Sequence, residues 1–203
     1  MHLVPTPEEV ITLLKQTGAL RHGHFEYPNG LHGNEYLQVA LAMRYYQHAK
    51  TLSVGLSRLL RANPEIRAII PELSIVTPAT GGLPVAYGVC EALSAHQVYW
   101  AEQDDRGTLR FRQYLEQLPG EKVLLVDDIL RTGKKLSDLK DLVEASGAEV
   151  VGLAVIVYQP TPKTPDFSPL LFYYLAKLDA VYYRDAAHCD LCKRGEPLEK
   201  VWI

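Results

Sequence analysis

The chain has 203 residues, of which 47% are hydrophobic and 22% are charged, and its formal net charge at pH 7 is -3. This composition is typical of a soluble globular protein and excludes intrinsic disorder, while the lack of positive net charge argues against nucleic acid as a partner. The sequence has no apolar run long enough to span a membrane and does not begin like a secretory signal. We therefore expect no membrane partner and a cytoplasmic location.

The N-terminal part predicts two helices separated by a short β-hairpin. A capping pattern at Thr6 opens a helix that is expected to end near Gly18. Residues 24–27 and 36–39 flank an Asn-Gly turn and therefore predict the two strands of a hairpin. Leucines at helical spacing predict a second helix over about residues 43–62.

Farther along the chain, short apolar runs alternate with segments of helix length. The predicted strands are 73–76, 98–100, 123–126 and 150–157, and the helices between them are predicted over about 82–95 and 134–147. Repeated strand, helix and strand units predict an α/β protein whose parallel sheet is covered by helices on both faces. Because ligands of such sheets bind beyond the carboxyl ends of the strands, the site is expected just after these runs.

The most informative segment is Val123–Leu136, where an apolar run is followed by two carboxylates and then by a loop that opens a helix. The carboxylates are Asp127 and Asp128, and the loop residues are Arg131, Thr132, Gly133, Lys134 and Lys135. Backbone amides at a helix start bind anions, and a glycine lets a phosphate approach the backbone closely. Carboxylates repel phosphate but suit sugar hydroxyls or Mg²⁺. The segment therefore predicts a ribose 5-phosphate site, and it lacks the glycine and hydroxyl positions of a P-loop.

This segment resembles the phosphoribosyl pyrophosphate (PRPP) motif of type I phosphoribosyltransferases. Other parts are similar to the orotate enzymes of that family: 18–37 to their N-terminal hood, 77–86 to their pyrophosphate loop, and 189–198 to the tail of some bacterial and archaeal members. The resemblance implies a type I phosphoribosyltransferase fold, with a parallel sheet, helices on both faces and a small N-terminal hood. It also implies a single domain over 1–203, with a hood at about 18–42, a tail at about 170–203 that joins the hood, and a core at about 43–169.

The resemblance also implies the reaction and its partners. Ribose 5-phosphate would pass from PRPP to a nitrogenous base with release of pyrophosphate, orotate being the first candidate base, and the enzyme would be a homodimer that uses Mg²⁺. The implied PRPP-binding residues are Thr80, Gly81, Gly82, Asp127, Asp128, Arg131, Thr132, Gly133, Lys134 and Lys135. Asp127 and Asp128 would hold the ribose hydroxyls and act on the metal only indirectly, through PRPP.

Three departures from the family pattern concern catalysis and the base. Many orotate enzymes carry a catalytic lysine in a flap that closes over the neighbouring subunit's site, but no lysine occurs between Ala101 and Gly120. The implied catalytic residues are therefore Arg106, Arg110 and Arg112, together with Asp127 and Asp128.

The implied base-binding residues are His32, Arg131 and Gln159. His32 stands where a lysine is common, and Gln159 stands where the family typically has an arginine that holds the orotate carboxylate. An amide replaces a guanidinium poorly, so orotate is expected to be a poor substrate unless Arg131 supplies the missing charge.

Two alternative functions stay open. The missing flap lysine and Gln159 favour a PRPP-binding regulatory or degenerate protein without orotate activity. The run Thr132-Gly133-Lys134 suggests a purine-type transferase, which the orotate-like hood opposes.

A CxxC pair near the C-terminus is a separate feature. Cys189 and Cys192 can bind zinc if a second chain of a dimer supplies two further thiolates, or they can form a structural turn without metal. A redox role is disfavoured, because the pair does not stand at a helix start after a strand.

Overall fold

The computed structural model describes residues 4–112 and 119–201. Its strands, in chain order, are β1 (Leu20–Glu26), β2 (His32–Leu37), β3 (Ser74–Pro78), β4 (Gln97–Gln103), β5 (Leu109–Phe111), β6 (Lys122–Leu130), β7 (Glu149–Tyr158), β8 (Leu171–Lys177), β9 (Tyr182–Tyr183) and β10 (Leu198–Lys200). They form a six-stranded sheet in the order β5-β4-β3-β6-β7-β8 and a four-stranded sheet in the order β10-β1-β2-β9. We call the first the core sheet and the second the hood sheet.

The strand order of the core sheet reverses between β3 and β6. From β3 the chain continues outward to β4, whereas from β6 it continues in the other direction to β7 and β8, and all of these strands are parallel. Such a reversal opens a crevice at the carboxyl ends of the two central strands, because the connections leave them on opposite sides. The fold therefore places its crevice between the ends of β3 and β6.

The α-helices are α1 (Pro7–Gln16), α2 (Ala40–Met43), α3 (Tyr46–Ala62), α4 (Pro64–Ile69), α5 (Leu83–Leu93), α6 (Lys134–Ala145) and α7 (Asp190–Lys193). Two hydrophobic clusters cover opposite faces of the core sheet. Along β6, Leu124 packs with α1, α3 and α5, whereas Leu125 packs with α6. Neighbouring strand residues point to opposite faces, so a continuous apolar run is buried on both sides, as the sequence predicted.

The hood sheet joins the two ends of the chain. β1 and β2 are the predicted hairpin, whose turn contains Gly30 at a φ of 78°. The C-terminal β10 pairs in parallel with β1, and the short β9 pairs with β2. Two strands of the C-terminal tail, β9 and β10, therefore belong to the hood sheet.

The structure corrects two sequence-based boundaries. The segment 171–177, expected in the hood, is the sixth strand of the core sheet, because it pairs with β7 and packs against α1 and α3. β6 was expected to end at Val126 but continues to Leu130, because its ladder with β7 extends to Tyr158. Asp127 and Asp128 therefore lie within a strand.

Within the described ranges 4–112 and 119–201, no helix combines the length and the apolar character that a membrane crossing requires.

Candidate active site

The β3–α5 loop and the acidic pair of β6 meet in the crevice between the two strands. A Cβ on Gly82 would lie 2.8 Å from Asp127 Oδ1 and would overlap Thr77 Oγ1, and a Cβ on Gly81 would lie 3.0 Å from Asp128 Oδ2. Glycine is required at Gly82 because the carboxylate and the hydroxyl occupy the space of a side chain. The structure thus brings the predicted pyrophosphate loop and the predicted ribose site into direct contact.

The acidic pair is held in an electrostatically unfavourable setting. Asp127 is 6% exposed, and its Oδ1 accepts the Asp128 amide hydrogen at 2.9 Å. Burial raises the pKa of the Asp127 carboxyl well above its usual range, and the negative charge of Asp128 raises it further. Burial also raises the pKa of Asp128, although hydrogen bonds and the charges of Arg131 and Lys135 oppose that change. Hydroxyl donors or a cation arriving here would relieve the repulsion.

The predicted phosphate loop lies at the start of α6, next to the acidic pair. Gly133 is the N-cap and has a φ of 71°, a left-handed conformation that favours glycine. A Cβ on Gly133 would lie 2.7 Å from Pro165 Cδ, so this glycine is needed for its own backbone and for packing of the Pro-rich segment. Because Gly133 has no side chain, it cannot itself cap the first amides of α6, and amides at a helix start can bind an anion.

Lys134 and Lys135 follow on the exposed side of the same helix start. Lys134 Nζ pairs with Asp138 Oδ2 at 2.6 Å. Thr132 is also exposed, and its hydroxyl accepts the Lys134 amide hydrogen at 3.5 Å. The loop therefore gathers the hydroxyl, the cations and the backbone amides that a phosphate group needs.

Two of the predicted base-binding residues contact each other. Arg131 Nε donates to Gln159 Oε1 at 2.7 Å, and the same guanidinium donates to the carbonyl of Leu37 at 2.7 Å. Gln159 is 1% exposed, and its Nε2 donates to Glu35 Oε2 at 3.0 Å. Tyr182 completes the group by donating to Gln159 Oε1 at 3.1 Å. Gln159 thus uses its oxygen and its nitrogen to orient Arg131 between the core and the hood.

Comparison with known proteins agrees with this arrangement. The profile of the phosphoribosyl transferase domain matches residues 46–173, more than half of the chain. The chain belongs to the phosphoribosyltransferase family. It is 34% identical over 192 residues to the orotate phosphoribosyltransferase of Carboxydothermus hydrogenoformans, covering 95% of each chain. It is 32% identical to the Thermus thermophilus enzyme of the same name, over 95% of this chain and 100% of that one.

A solved structure shows the same fold at lower identity. The orotate phosphoribosyltransferase of Aeropyrum pernix superposes with a TM-score of 0.68 at 18% identity, over 83% of this chain and 93% of that chain. The predicted family, the α/β fold class and the assignment as a pentosyl-transferring enzyme are confirmed.

The implied flap of this phosphoribosyltransferase begins as a β-hairpin at the edge of the core sheet. β5 pairs antiparallel with β4, and two of the three candidate arginines bind carboxylates of the same hairpin. Arg110 Nε donates to Asp104 Oδ2 at 2.8 Å, and Arg112 Nε donates to Glu102 Oε2 at 2.9 Å. Arg106 lies exposed in the turn, and among the described residues its side chain has no ion-pair partner. The part of the implied flap at residues 113–118 lies outside the described residues.

His32 occupies a different setting from the one implied. It is 4% exposed, and its Nδ1 lies 3.0 Å from His24 Nε2 and 3.4 Å from Cys192 Sγ. The ring is therefore engaged with the C-terminal tail, and the structure does not place it with Arg131 and Gln159. Among the three base-binding candidates, only Arg131 and Gln159 share a hydrogen-bonded group.

Sequence reasoning missed three residues of this phosphoribosyltransferase site. Glu35 and Tyr182 hold Gln159, and Thr77 closes the space beside Gly82. Strand alternation could have placed Glu35 on the inward side of β2, where a carboxylate requires a partner. No sequence pattern pointed to Tyr182, because its partner lies on a different sheet.

Proposed function

We propose that this phosphoribosyltransferase transfers ribose 5-phosphate from PRPP to orotate, the step that forms a pyrimidine nucleotide. The observation that carries the proposal is the contact between the acidic pair and the β3–α5 loop at the point where the strand order reverses. This contact puts a hydroxyl-binding pair, an anion-binding loop and a phosphate-binding helix start around one crevice.

The parts of PRPP can be assigned to these groups by charge. Asp127 and Asp128 accept hydrogen bonds from the ribose hydroxyls, and residues 131–135 bind the 5-phosphate. The backbone of Thr80–Gly82, at the start of α5, binds the pyrophosphate. In the reaction, the bond from the ribose carbon to pyrophosphate breaks and a bond to a ring nitrogen of the base forms, so positive charge develops on the ribose. The two carboxylates beside it stabilise that charge.

Magnesium fits the donor set of the crevice. Asp127 is buried, Asp128 is half-buried, and the pKa values of both are raised. With the hydroxyl of Thr77 nearby, they form an oxygen-rich site that gains from a cation carried by PRPP. When bound, Mg²⁺ neutralises charge on the departing pyrophosphate. The chain's own contribution is to hold the hydroxyls and to keep the loop backbone free of side chains at Gly81 and Gly82.

Arg131 supplies the charge for the orotate carboxylate. Its guanidinium is fixed through Nε and Nη2, and among the described residues Nη1 makes no hydrogen bond or ion pair with a side chain. Gln159 stands where the family typically has the arginine, and here it orients Arg131 instead of contacting the base. In this arrangement the positive charge has moved from the end of β7 to the phosphate loop, so orotate binding is retained.

We also propose that the enzyme is a cytoplasmic homodimer in which the hairpin of one subunit serves the crevice of the other. Arg106 is the cation available for the leaving group, since Arg110 and Arg112 are held by carboxylates of their own hairpin.

The test is a pyrophosphate-release assay with PRPP, Mg²⁺ and a panel of bases. We expect turnover with orotate, and we expect Arg131→Gln to lower kcat/KM for orotate by about tenfold to hundredfold, the value of a lost charge-assisted pair. The affinity for PRPP is expected to fall less. Arg67→Gln, at an exposed arginine of α4, is the matched control.

Two results would oppose the proposal. Turnover of a purine base without turnover of orotate would reassign the substrate. PRPP binding by calorimetry without turnover of any base would favour a regulatory or degenerate protein.

A further inference from the structure

Four side chains with nitrogen or sulfur ligand atoms converge between the hood sheet and the C-terminal tail. They are His24, His32, Cys189 and Cys192, and one ligand atom from each lies within 4.8 Å of the others. His24, His32 and Cys189 are buried and Cys192 is half-buried. We call these residues the His-Cys cluster. It contains none of the residues assigned above to PRPP.

Four distances within the cluster are close to the edges of a tetrahedron around zinc, and all of its ligand atoms lie within 4.8 Å of one another. His24 Nε2 lies 3.0 Å from His32 Nδ1, 3.5 Å from Cys189 Sγ and 3.4 Å from Cys192 Sγ. Zinc–nitrogen and zinc–sulfur bonds of about 2.05 and 2.3 Å at tetrahedral angles give edges of about 3.3 Å between nitrogens and about 3.6 Å from nitrogen to sulfur. The four atoms are therefore already near the positions that a zinc ion requires.

The tautomer of the His24 ring is fixed from outside the cluster. Its Nδ1 lies 2.9 Å from the carbonyl oxygen of Glu196, which can only accept a hydrogen bond. Nδ1 therefore carries the proton, and the lone pair of Nε2 points at the other three ligand atoms. Zinc-binding histidines commonly donate their other ring N–H to a carbonyl in this way, which fixes the tautomer and raises the basicity of the ligand.

The local structure explains how the four residues meet. The register between β1 and β2 shifts between His22 and Phe25, so that His24 and Phe25 are both buried although they are neighbours. His32 begins β2 across the turn. Cys189 and Cys192 lie at the start of α7 and within it, and β10 then returns beside His24. A β-bulge, a hairpin and a short helix thus aim all four side chains at one point.

We propose that the His-Cys cluster is a structural zinc site, completed within one chain, that fastens the C-terminal tail to the hood. Two thiolates and two neutral imidazoles give Zn²⁺ a closed, charge-neutral Cys₂His₂ shell, and the two thiol protons leave to solvent on binding. The sequence alone allowed a zinc site only if a second chain supplied two further thiolates, and it left a structural turn without metal as the alternative. The two histidines of the hood hairpin supply them instead.

The site also bears on the base-binding region. His32 and Glu35 lie on the same strand, β2, and Glu35 holds the Gln159 that orients Arg131. Zinc would therefore restrain the strand that organises the base site while contacting none of the substrates.

The first experiment measures metal content. Protein purified without an affinity tag and with zinc in the growth medium is expected to contain about one zinc per chain. Cys192→Ser and His24→Asn are expected to lose at least about half of it, because removal of one ligand opens the shell. Cys90→Ser and His188→Asn are matched controls, since Cys90 lies on α5 and the His188 ring lies 2.6 Å from Asp185 Oδ1 rather than in the cluster. Wild-type protein without zinc, or site variants that retain as much zinc as the controls, would overturn the proposal.

The second experiment does not depend on whether the variants fold. Wild-type protein stripped of metal and titrated with Co²⁺ is expected to develop the visible bands of a tetrahedral ion and a thiolate-to-cobalt charge-transfer band, both saturating at about one equivalent. Zinc is expected to displace the cobalt and to raise the Tm of the stripped protein by more than about 5 °C. A Cys189–Cys192 disulfide in protein prepared under reducing conditions, or cobalt bands typical of six oxygen ligands, would contradict the assignment.

Discussion

In two parts of the core sheet the pKa values of carboxylates are shifted in opposite directions. On β6, Asp127 and Asp128 lie side by side in the crevice, and burial raises the pKa of both. In the β4–β5 hairpin, hydrogen bonds lower the pKa values of Glu102 and Asp104, chiefly from the Arg112 side chain to Glu102 and from the Thr108 amide to Asp104. At the edge of the sheet each of these carboxylates is paired with an arginine, whereas at its centre two negative charges lie side by side and repel each other.

The contrast distinguishes carboxylates that stabilise local structure from carboxylates that become favourable only when a ligand binds. The hairpin carboxylates are half-buried and hydrogen-bonded, and their ion pairs with surface arginines organise a turn and contribute little to stability. The crevice carboxylates are unfavourable until a ligand donates hydrogen bonds or brings a cation. Residues of a functional site commonly lower the stability of the free protein, because they are kept for binding or catalysis and not for folding.

The largest expected effect is at the crevice. Asp128→Asn is expected to lower kcat/KM for PRPP by about a hundredfold, because an amide accepts hydrogen bonds through only one of its two polar atoms. The same change is expected to raise the Tm of the free protein by about 2–6 °C, since it removes one of two neighbouring negative charges whose repulsion costs roughly 1–2 kcal/mol.

Steady-state kinetics and thermal unfolding of this variant measure the two effects together. Asp141→Asn, at an exposed carboxylate of α6, is the control, and Asp104→Asn is expected to lower the Tm slightly instead. Equal kinetics in Asp128→Asn and wild type would remove the acidic pair from the site.

The next effect concerns the space beside the acidic pair. Gly82→Ala is expected to destabilise the protein by about 1–3 kcal/mol and to weaken PRPP binding at least about tenfold, because the new Cβ overlaps Thr77 Oγ1 and lies 2.8 Å from Asp127 Oδ1. Gly81→Ala is expected to be milder, since its closest contact is 3.0 Å, to Asp128 Oδ2. Urea unfolding and calorimetry compare the two, and a larger effect at Gly81 would contradict the geometry.

A smaller effect is expected in the hairpin. Arg106→Gln is expected to lower kcat about tenfold with a Tm change below about 1 °C, because an exposed cation without an ion pair supports no local structure. Arg110→Gln is expected to change kcat less, since the Arg110 guanidinium is held by Asp104. If Arg110→Gln lowered kcat more than Arg106→Gln, the leaving group would meet the paired arginine instead.

The smallest effect is a dependence of stability on pH. The pKa values of Asp127 and Asp128 are higher in the folded than in the unfolded chain, so the folded protein binds more protons and loses stability as the pH rises above about 4. The free energy of unfolding of Asp128→Asn, minus that of wild type, is therefore expected to grow by about 1 kcal/mol between pH 4 and pH 7. Urea unfolding across this range measures it, and a constant difference would show that the pair does not titrate as inferred.

The sequence by itself determined the features that depend on residues close together along the chain. The spacing of apolar residues predicted the strands and helices, because that spacing reflects which side of each element is buried. Their alternation along the chain then predicted the parallel sheet. The order of carboxylates, hydroxyl, glycine and lysines within Val123–Leu136 predicted the ribose and phosphate site, because one strand, one loop and one helix start carry all of it.

The tertiary structure alone decided the contacts between distant segments. Asp128 was expected after a strand, since carboxylates are rare within strands, but the ladder with β7 outweighs that preference. The sequence predicts Gln159 as a base contact, and only the tertiary structure shows that its side chain hydrogen-bonds Glu35 and Arg131. Cys189 meets a histidine 165 residues earlier in the chain. No local pattern encodes such a pair, because strand register and the return of the tail depend on how the whole chain packs.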